Sequence, residues 1–446
     1  MPTVRKGSDP VSAMRLLRVF LGFFCFVLAG YVVFGKHFAY LGFPPLYIGE
    51  IALTLGATVA LTVGALSSAI LNLPGLALAL LILWTAHRTI PYLDQYGLDA
   101  PRDAMVVFYG LFAYVIASLV LKRPSTLLVL VERYKRLISY AIFLAPIVVI
   151  LGFTFTPLLG IGPKVKDLAC HMTAIVAFAL LGFIRLRPLA FILILLFELF
   201  AFTQSREAMV VFVVGSSLAT ALSREGGVVR RISACIGIIA AIVGVLFVVD
   251  FQFASEDLRR PVSVRQYVEN VTSAFTGGDD EDETREWRRN WWSDIINYTV
   301  HGPYFWTGKG FGPNLADTDG YQTSDLEEAP LRSPHNAHMT ILARGGMPEL
   351  VLWITALGAW LGAVIRQLME ARRRQDDLWA TVFAFLLIYW TIILVSSSFD
   401  VVLEGPVMGI WFWTIHGIGL ASLVLYRHHV AVLQGPRSSV HARFAG

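Results

Sequence analysis

Four short polar stretches in an otherwise apolar chain carry residue types that could grip a phosphorylated ligand and move a proton. The first is Thr203-Gln204-Ser205-Arg206-Glu207, set between two apolar runs. A guanidinium there has the fork geometry that takes phosphate bidentately. The plainer reading is a tight helix–helix turn whose Arg snorkels to lipid headgroups. The second stretch runs from Thr284 to Ile296. Arg288 and Trp292, four apart, share one helix face, and Arg285 and Arg289 lie beside them. That face offers cations and an aromatic platform to a phosphorylated sugar, or it belongs to an amphipathic helix lying in the membrane interface.

The third stretch, Gly302 to Pro313, contains Gly308-Lys309-Gly310-Phe311-Gly312. Alternating glycines can form a nest of backbone N–H groups for an anion, with Lys309 beside it. It is not a nucleotide P-loop, because Gly-Lys is followed by Gly and not by Ser or Thr. An ordinary tight turn competes with the nest. The fourth stretch is Arg332-Ser333-Pro334-His335-Asn336-Ala337-His338. Pro334 disfavours helix before it, so a helix is expected to open at His335 or Asn336. An imidazole at that mouth suits a general base near neutral pH. His335 and His338 lack a third ligand at a characteristic metal spacing, so no metal site is expected. The plainer reading makes Asn336 a helix cap and leaves both histidines to water. Of the remaining polar residues, Asp279 to Glu283 lack the spacing of a calcium loop and read as a solvated loop tip. Glu50 and Glu198 sit within apolar runs, where charge implies a bundle-facing or cavity role. The connector Ser396-Ser397-Ser398-Phe399-Asp400, with Glu404 beyond it, is a further possible lining of the site.

What must position these residues is a membrane. The 446-residue chain is 56% hydrophobic and 15% charged, with mean hydropathy +0.63, all displaced from soluble values. That excludes a disordered chain. Its three cysteines (Cys25, Cys170, Cys235) all lie in apolar runs, which excludes a disulfide-stapled module. A net charge of +4, segregated along the chain, argues for membrane orientation and against nucleic acid. Twelve runs approach the ~20 apolar residues of a span. They are Leu16–Phe34, Leu46–Leu66, Leu73–Thr85, Ala104–Leu121, Leu137–Phe155, Leu168–Ile184, Leu189–Thr203, Ala208–Leu222, Ile232–Val249, Met347–Ile365, Leu378–Val395 and Val407–Leu425. Several are short, and Asn72, Pro74 and His87 crowd the third.

Lys and Arg concentrate on alternate connectors, which places both termini in the cytoplasm. The first run reads as an uncleaved signal anchor. The expected fold is therefore an all-α polytopic bundle of about 12 transmembrane helices with one large extracytoplasmic loop. Its divisions are residues 1–250 as an N-terminal bundle, 251–346 as the loop, and 347–446 as the last spans and a cytoplasmic tail. So long a connector is usually functional, and chemistry on that face has no ATP to draw on.

The order of the stretches is familiar. Ser205-Arg206, Arg288 with Trp292, Pro303 with Gly308, Gly310 and Gly312, then His335-Asn336 opening a helix, together resemble the O-antigen ligase/polymerase family over roughly Leu189 to Ile365. The resemblance implies a GT-C-like helical membrane fold. It implies glycosyl transfer from an undecaprenyl-diphosphate-linked glycan to a lipid A core sugar or a second glycan, in the bacterial inner membrane, without cofactor. Membrane lipid and an envelope polysaccharide assembly complex are the other partners it suggests. In that family the arginines matching Arg206 and Arg288 engage the diphosphate and the histidine matching His335 is the base. Arg285, Arg289, Trp292, Asn336 and Lys309 would bind substrate, and Trp287, Trp291, Trp292, Tyr304 and Trp306 would stack on sugars. Two departures stand out: Glu207 puts a carboxylate after the arginine, and Gly345-Gly346-Met347-Pro348-Glu349 replaces a glycine-spaced turn. Ligase and polymerase share these motifs. A transporter or flippase also fits twelve spans, although its polar groups would gather at the midplane. A scaffold using the loop to dock a partner is the third reading.

Overall fold

The computed structural model describes residues 10–63, 66–159, 164–223, 252–253, 262–263, 279–322 and 330–434. Over these the chain is mostly helix. The departures from an all-α fold are two minimal antiparallel hairpins, β1 (Gly42–Phe43) with β2 (Leu46–Tyr47), and β3 (Gln252–Phe253) with β4 (Val262–Ser263). The first half of the bundle holds α1 (Pro10–Ala39), α2 (Ile48–Val63), α3 (Leu66–Ile70), α4 (Leu73–Thr89), α5 (Leu93–Tyr96), α6 (Asp99–Phe108), α7 (Leu111–Lys122) and α8 (Ser125–Leu159). Then come α9 (Val165–Leu180), α10 (Pro188–Gln204), α11 (Arg206–Leu222), α12 (Asp279–Val300) and α13 (Leu315–Asp319). The chain ends in α14 (Ala337–Arg373), α15 (Asp377–Ser397) and α16 (Pro406–Gln434).

Of the twelve apolar runs, Ile232–Val249 lies outside the described residues, and each of the others overlaps a helix. Among the described residues six helices are long and apolar enough to cross a membrane, or seven if the bent pair α6–α7 is one span. Apart from the undescribed run, the difference from twelve is one of length. Helices α2, α9, α10 and α11 have 16 or 17 residues, about 24–26 Å at 1.5 Å per residue, short of the ~30 Å hydrocarbon core. The crowded third run does form a helix, because Asn72 caps it by accepting from the Gly75 N–H and Pro74 sits in its first turn. The protein is a multi-pass membrane protein.

Three buried tryptophans tie helices together through their indole donors. The Nε1 groups of Trp360, Trp411 and Trp413 donate to the carbonyls of His416, Leu28 and Val106 at 2.9, 3.2 and 3.1 Å. Those bonds fasten α16 to α14, α1 and α6. Where α16 meets α7, a Cβ at Gly417 would come within 2.4 Å of the Ala113 carbonyl, so the missing side chain sets that approach.

Two features position the polar stretches. Asp279 to Glu283 form the opening turns of α12 and not a loop tip, as the favourable interaction of acidic residues with a helix N-terminus accounts for. Trp291 and Ile295, four apart on α12, are fully buried against Leu315, Ala316, Leu342 and Ala343, and this small core fixes α12 on α13 and α14. Helix α14, meanwhile, is interrupted at Gly346 (φ 72°, ψ −169°), just before Pro348. The segment Phe305–Gly310 lies against the interruption: Met347 N–H donates to Phe305 O at 2.9 Å, and Lys309 and Gly310 N–H donate to Ala343 and Arg344 O at 2.8 and 2.9 Å. Gly308 has φ 58°, and a Cβ there would lie 2.3 Å from the Arg344 carbonyl. Gly308→Ala is therefore expected to destabilise the fold by about 2 kcal/mol or more. A detergent melt checks this, and a variant as stable as the wild type would contradict the docking.

Candidate active site

The site forms around the turn that follows α15. That helix stops where its apolar run does: the Ser397 and Ser398 hydroxyls donate back to Leu394 O at 2.7 and 3.2 Å, and Pro406 opens α16. Between them, Ser396 and the residues of the turn take partners from four other elements. Ser396 Oγ donates to Glu207 Oε1 in the first turn of α11. Ser398 O accepts from Asn336 Nδ2 at 2.9 Å. Phe399 O accepts from Arg288 Nη1 on α12 at 3.2 Å. Asp400 pairs with His335 Nδ1 at 2.7 Å through Oδ1, and with Lys166 Nζ, in the first turn of α9, through Oδ2.

His335 holds a left-handed backbone (φ 53°), unusual outside glycine. Both neighbours enforce it. Trp292 Nε1 donates to Pro334 O at 2.8 Å, and Asn336 caps α14 by accepting from His338 and Met339 N–H at 2.9 and 3.1 Å. A neutral imidazole that donates Nδ1–H to Asp400 carries its basic lone pair on Nε2. His338 has the opposite arrangement. Trp353 Nε1 can only donate, so His338 Nδ1 accepts at 3.0 Å, its Nε2 carries the hydrogen, and Ser398 Oγ lies 3.1 Å away. Both nitrogens of His338 are thus engaged in packing, whereas His335 is oriented by a carboxylate.

The electrostatics are those of charges brought out of water together. Burial lowers the Lys166 pKa, Glu207 and Asp167 raise it again, and Lys164 and Arg288 lower it further. Lys166 Nζ also lies 3.8 Å from Glu207 Oε2. Burial raises the Glu207 pKa, opposed chiefly by Lys166 and then by the Ser396 hydrogen bond. Burial likewise raises Glu404, against the Thr340 hydrogen bond at 2.8 Å and the Arg344 charge.

Of the residues singled out in the sequence, Arg288 and His335 meet at Phe399–Asp400, and Arg206 is the chain neighbour of Glu207 in the same network. Asn336 is a cap, and Trp292 holds the Pro334 carbonyl. Arg289 is exposed on α12, and the Arg285 side chain lies outside the described residues. Lys309 belongs to another network: it pairs with Asp319, reaches Thr318 O at 3.4 Å and lies 4.4 Å above the Tyr298 ring. The glycine segment is a packing turn and not a nest. Its Lys309 and Gly310 N–H groups bond α14, and Gly312 N–H donates to Asp103 Oδ2 at 3.2 Å. Among the aromatics, Trp291 is fully buried and unable to stack on a sugar, whereas Trp287 stands beside His335, ring centroids 6.5 Å apart. Among the described residues, no group of three or more His, Cys, Asp or Glu is placed to hold a metal ion.

Sequence reasoning missed Lys166 and gave Asp400 no role beyond a possible lining of the site. The one available signal was a lysine in a connector where cations are scarce. Neither residue lies in the stretch that comparison with known proteins identifies. Residues 189–354 match the family model described as O-antigen ligase, and this stretch contains Arg206, Arg288 and His335. No curated protein matches the chain significantly.

Beside the His335 turn, Asp103 on α6 receives two guanidiniums, Arg332 Nη2 and Arg344 Nη1, each at 3.0 Å. Arg344, 1% exposed, also donates to Pro313 O at 3.2 Å, and Arg332 to Gly312 O at 2.9 Å. One carboxylate therefore fastens the segment leading to His335, the glycine turn and α14. Asp103→Ala, which removes the paired carboxylate of buried Arg344 and the nearer one of Arg332, is expected to cost about 3–5 kcal/mol. A melt of purified protein reads this, and a loss below about 1 kcal/mol would contradict the role given to Asp103.

Proposed function

We propose that this chain, whose residues 189–354 match the family model described as O-antigen ligase, acts as a member of the O-antigen ligase/polymerase family and transfers an undecaprenyl-diphosphate-linked glycan to a sugar hydroxyl at the periplasmic face of the bacterial inner membrane. The observation that carries this reading is the Asp400–His335 pair beside the carbonyl that holds Arg288. In the proposed step the acceptor oxygen attacks the anomeric carbon and the bond from that carbon to the diphosphate oxygen breaks. The acceptor proton passes to His335 Nε2, and the electron pair leaves with the polyprenyl diphosphate. Negative charge grows on the leaving group, and Arg206 and Arg288 are the cations assigned to it. Asp400 stabilises the imidazolium that forms, as a carboxylate does for a histidine base. Trp287, next to His335, is the aromatic we assign to the acceptor sugar.

The sidedness has its own support. The starts of α9, α11 and α14 and the end of α15 meet at the site. At the other ends of these helices, Arg372 Nη2 donates to Leu222 O at 2.5 Å within the basic run Arg366 to Arg374. Basic residues favour the cytoplasmic side, which supports a site on the outer face.

With purified protein, polyprenyl-diphosphate glycan and an acceptor, His335→Ala and Arg288→Ala are each expected to lower transfer by on the order of a hundredfold or more. Arg206→Ala should act in the same sense, and Arg288→Lys should not restore full activity, because ammonium lacks the fork. Full activity in all three alanine variants would refute the mechanism. Trp287→Ala should raise the acceptor KM roughly tenfold with kcat less affected. Product formation is expected to persist in EDTA, since guanidiniums fill the role of a metal. Movement of glycan between leaflets with no new glycosidic bond would favour a transporter instead.

A further inference from the structure

Asp400 has a partner on each oxygen, and the two are coupled through it. His335 Nδ1 lies 2.7 Å from Oδ1, and Lys166 Nζ pairs with Oδ2. The same ammonium lies 3.8 Å from Glu207 Oε2, so one lysine is divided between two carboxylates. Its side chain is 19% exposed and theirs 9% each, so water screens these charges poorly. A carboxylate beside an imidazole favours the protonated ring, and a ring already protonated cannot take a proton from an attacking hydroxyl. A histidine base therefore needs Asp400 to orient it without charging it before the acceptor arrives.

Resting on the glycan-transfer reading, we infer that Lys166 is a positioning residue that keeps the His335 imidazole neutral between turnovers. Its ammonium offsets the Asp400 charge, and Glu207 sets how much of that ammonium Asp400 receives. The lysine touches neither sugar nor diphosphate in this role. It acts through Asp400 on the proton affinity of the ring.

The charged and titratable groups around this pair come from every element packed there. They are Lys164, Lys166 and Asp167 at the start of α9, Arg206 and Glu207 on α11, Arg288 on α12, and Asp400 and Glu404 between α15 and α16. His338, on α14, is committed to Trp353 and Ser398. Each substitution below alters one of these and leaves the others in place. Without the ammonium, Asp400 is an uncompensated anion beside Nδ1, and the ring keeps its proton to higher pH. With Glu207 neutralised, the ammonium turns wholly to Asp400 and one anion leaves the neighbourhood, so the ring gives up its proton at lower pH. The two substitutions push the imidazole in opposite directions. A lysine that merely braced the fold would give no such pair of opposed shifts.

The test titrates His335 directly, by NMR of the purified full chain labelled with 13C-histidine, its signal identified by its loss in H335Q. K166M is expected to raise the titration midpoint by about one pH unit or more, and E207Q to lower it. K166M/E207Q should fall between the single variants, and K166R, which keeps the charge, should stay near wild type. Transfer from polyprenyl-diphosphate glycan should follow: in K166M the acidic limb of the rate profile moves up with the midpoint, while the alkaline plateau stays within about threefold of wild type. An unmoved midpoint in K166M would overturn the inference, as would a K166M loss of transfer equal at every pH. An E207Q midpoint that stays put or rises would overturn it even if K166M failed to fold. Midpoints that shift as expected in a protein that forms no glycosidic bond would sink the glycan-transfer reading. Transfer by wild type with unmoved midpoints would sink this inference alone.

Discussion

The arrangement depends on one carboxylate that cannot stand alone. Asp400, 6% exposed at the end of an apolar helix, is costly to ionise there without cations or donors around it. It has both: an imidazole on one oxygen and an ammonium on the other. Because those partners sit on different helices, satisfying the charge draws α9, α14 and α15 to one point. The neighbouring turn residues extend this, with Phe399 receiving α12 through Arg288 and Ser396 receiving α11 through Glu207. In the proposed mechanism the same contacts serve folding and chemistry, since the group that needs neutralising is the group assigned to orient the base.

Rigidity around that point comes from a second, separate set of contacts. Asp103 gathers Arg332 and Arg344, the glycine turn packs into the interruption of α14, and Trp292 and Asn336 hold the backbone on either side of His335. A left-handed residue flanked by such restraints presents its imidazole in one direction. The two nearby histidines differ for this reason and not because of any difference in spacing. His338 is committed to Trp353 and faces Ser398, while His335 answers to a carboxylate.

Local features of this design were legible in the sequence. The apolar runs marked helices, Asn336 after Pro334 marked the start of α14, and Arg288 with Trp292 marked one face of α12. All of these depend on spacings of a few residues. The partners of His335 do not. Asp400 lies 65 positions away, and Lys166 reaches the site through Asp400 and Glu207. Nothing in either one's neighbours in sequence reveals that it will be desolvated beside the other. The glycine run misled for a related reason, because its periodicity fits an anion nest and a close-packed turn alike. The choice was made by carbonyls on α14 and by Asp103, none of them nearby in the chain. Short membrane helices were similarly ambiguous, since composition marks an apolar run without fixing where its backbone stops being helical.

The central claim is that Asp400 orients and charges the catalytic imidazole, and Asp400→Asn tests it most directly. Asparagine keeps the shape and a hydrogen-bonding group but removes the anion. In a single-turnover measurement of glycan transfer by purified, folded protein at saturating donor, the account predicts a fall on the order of a hundredfold or more. Transfer within a few-fold of the wild type would contradict it.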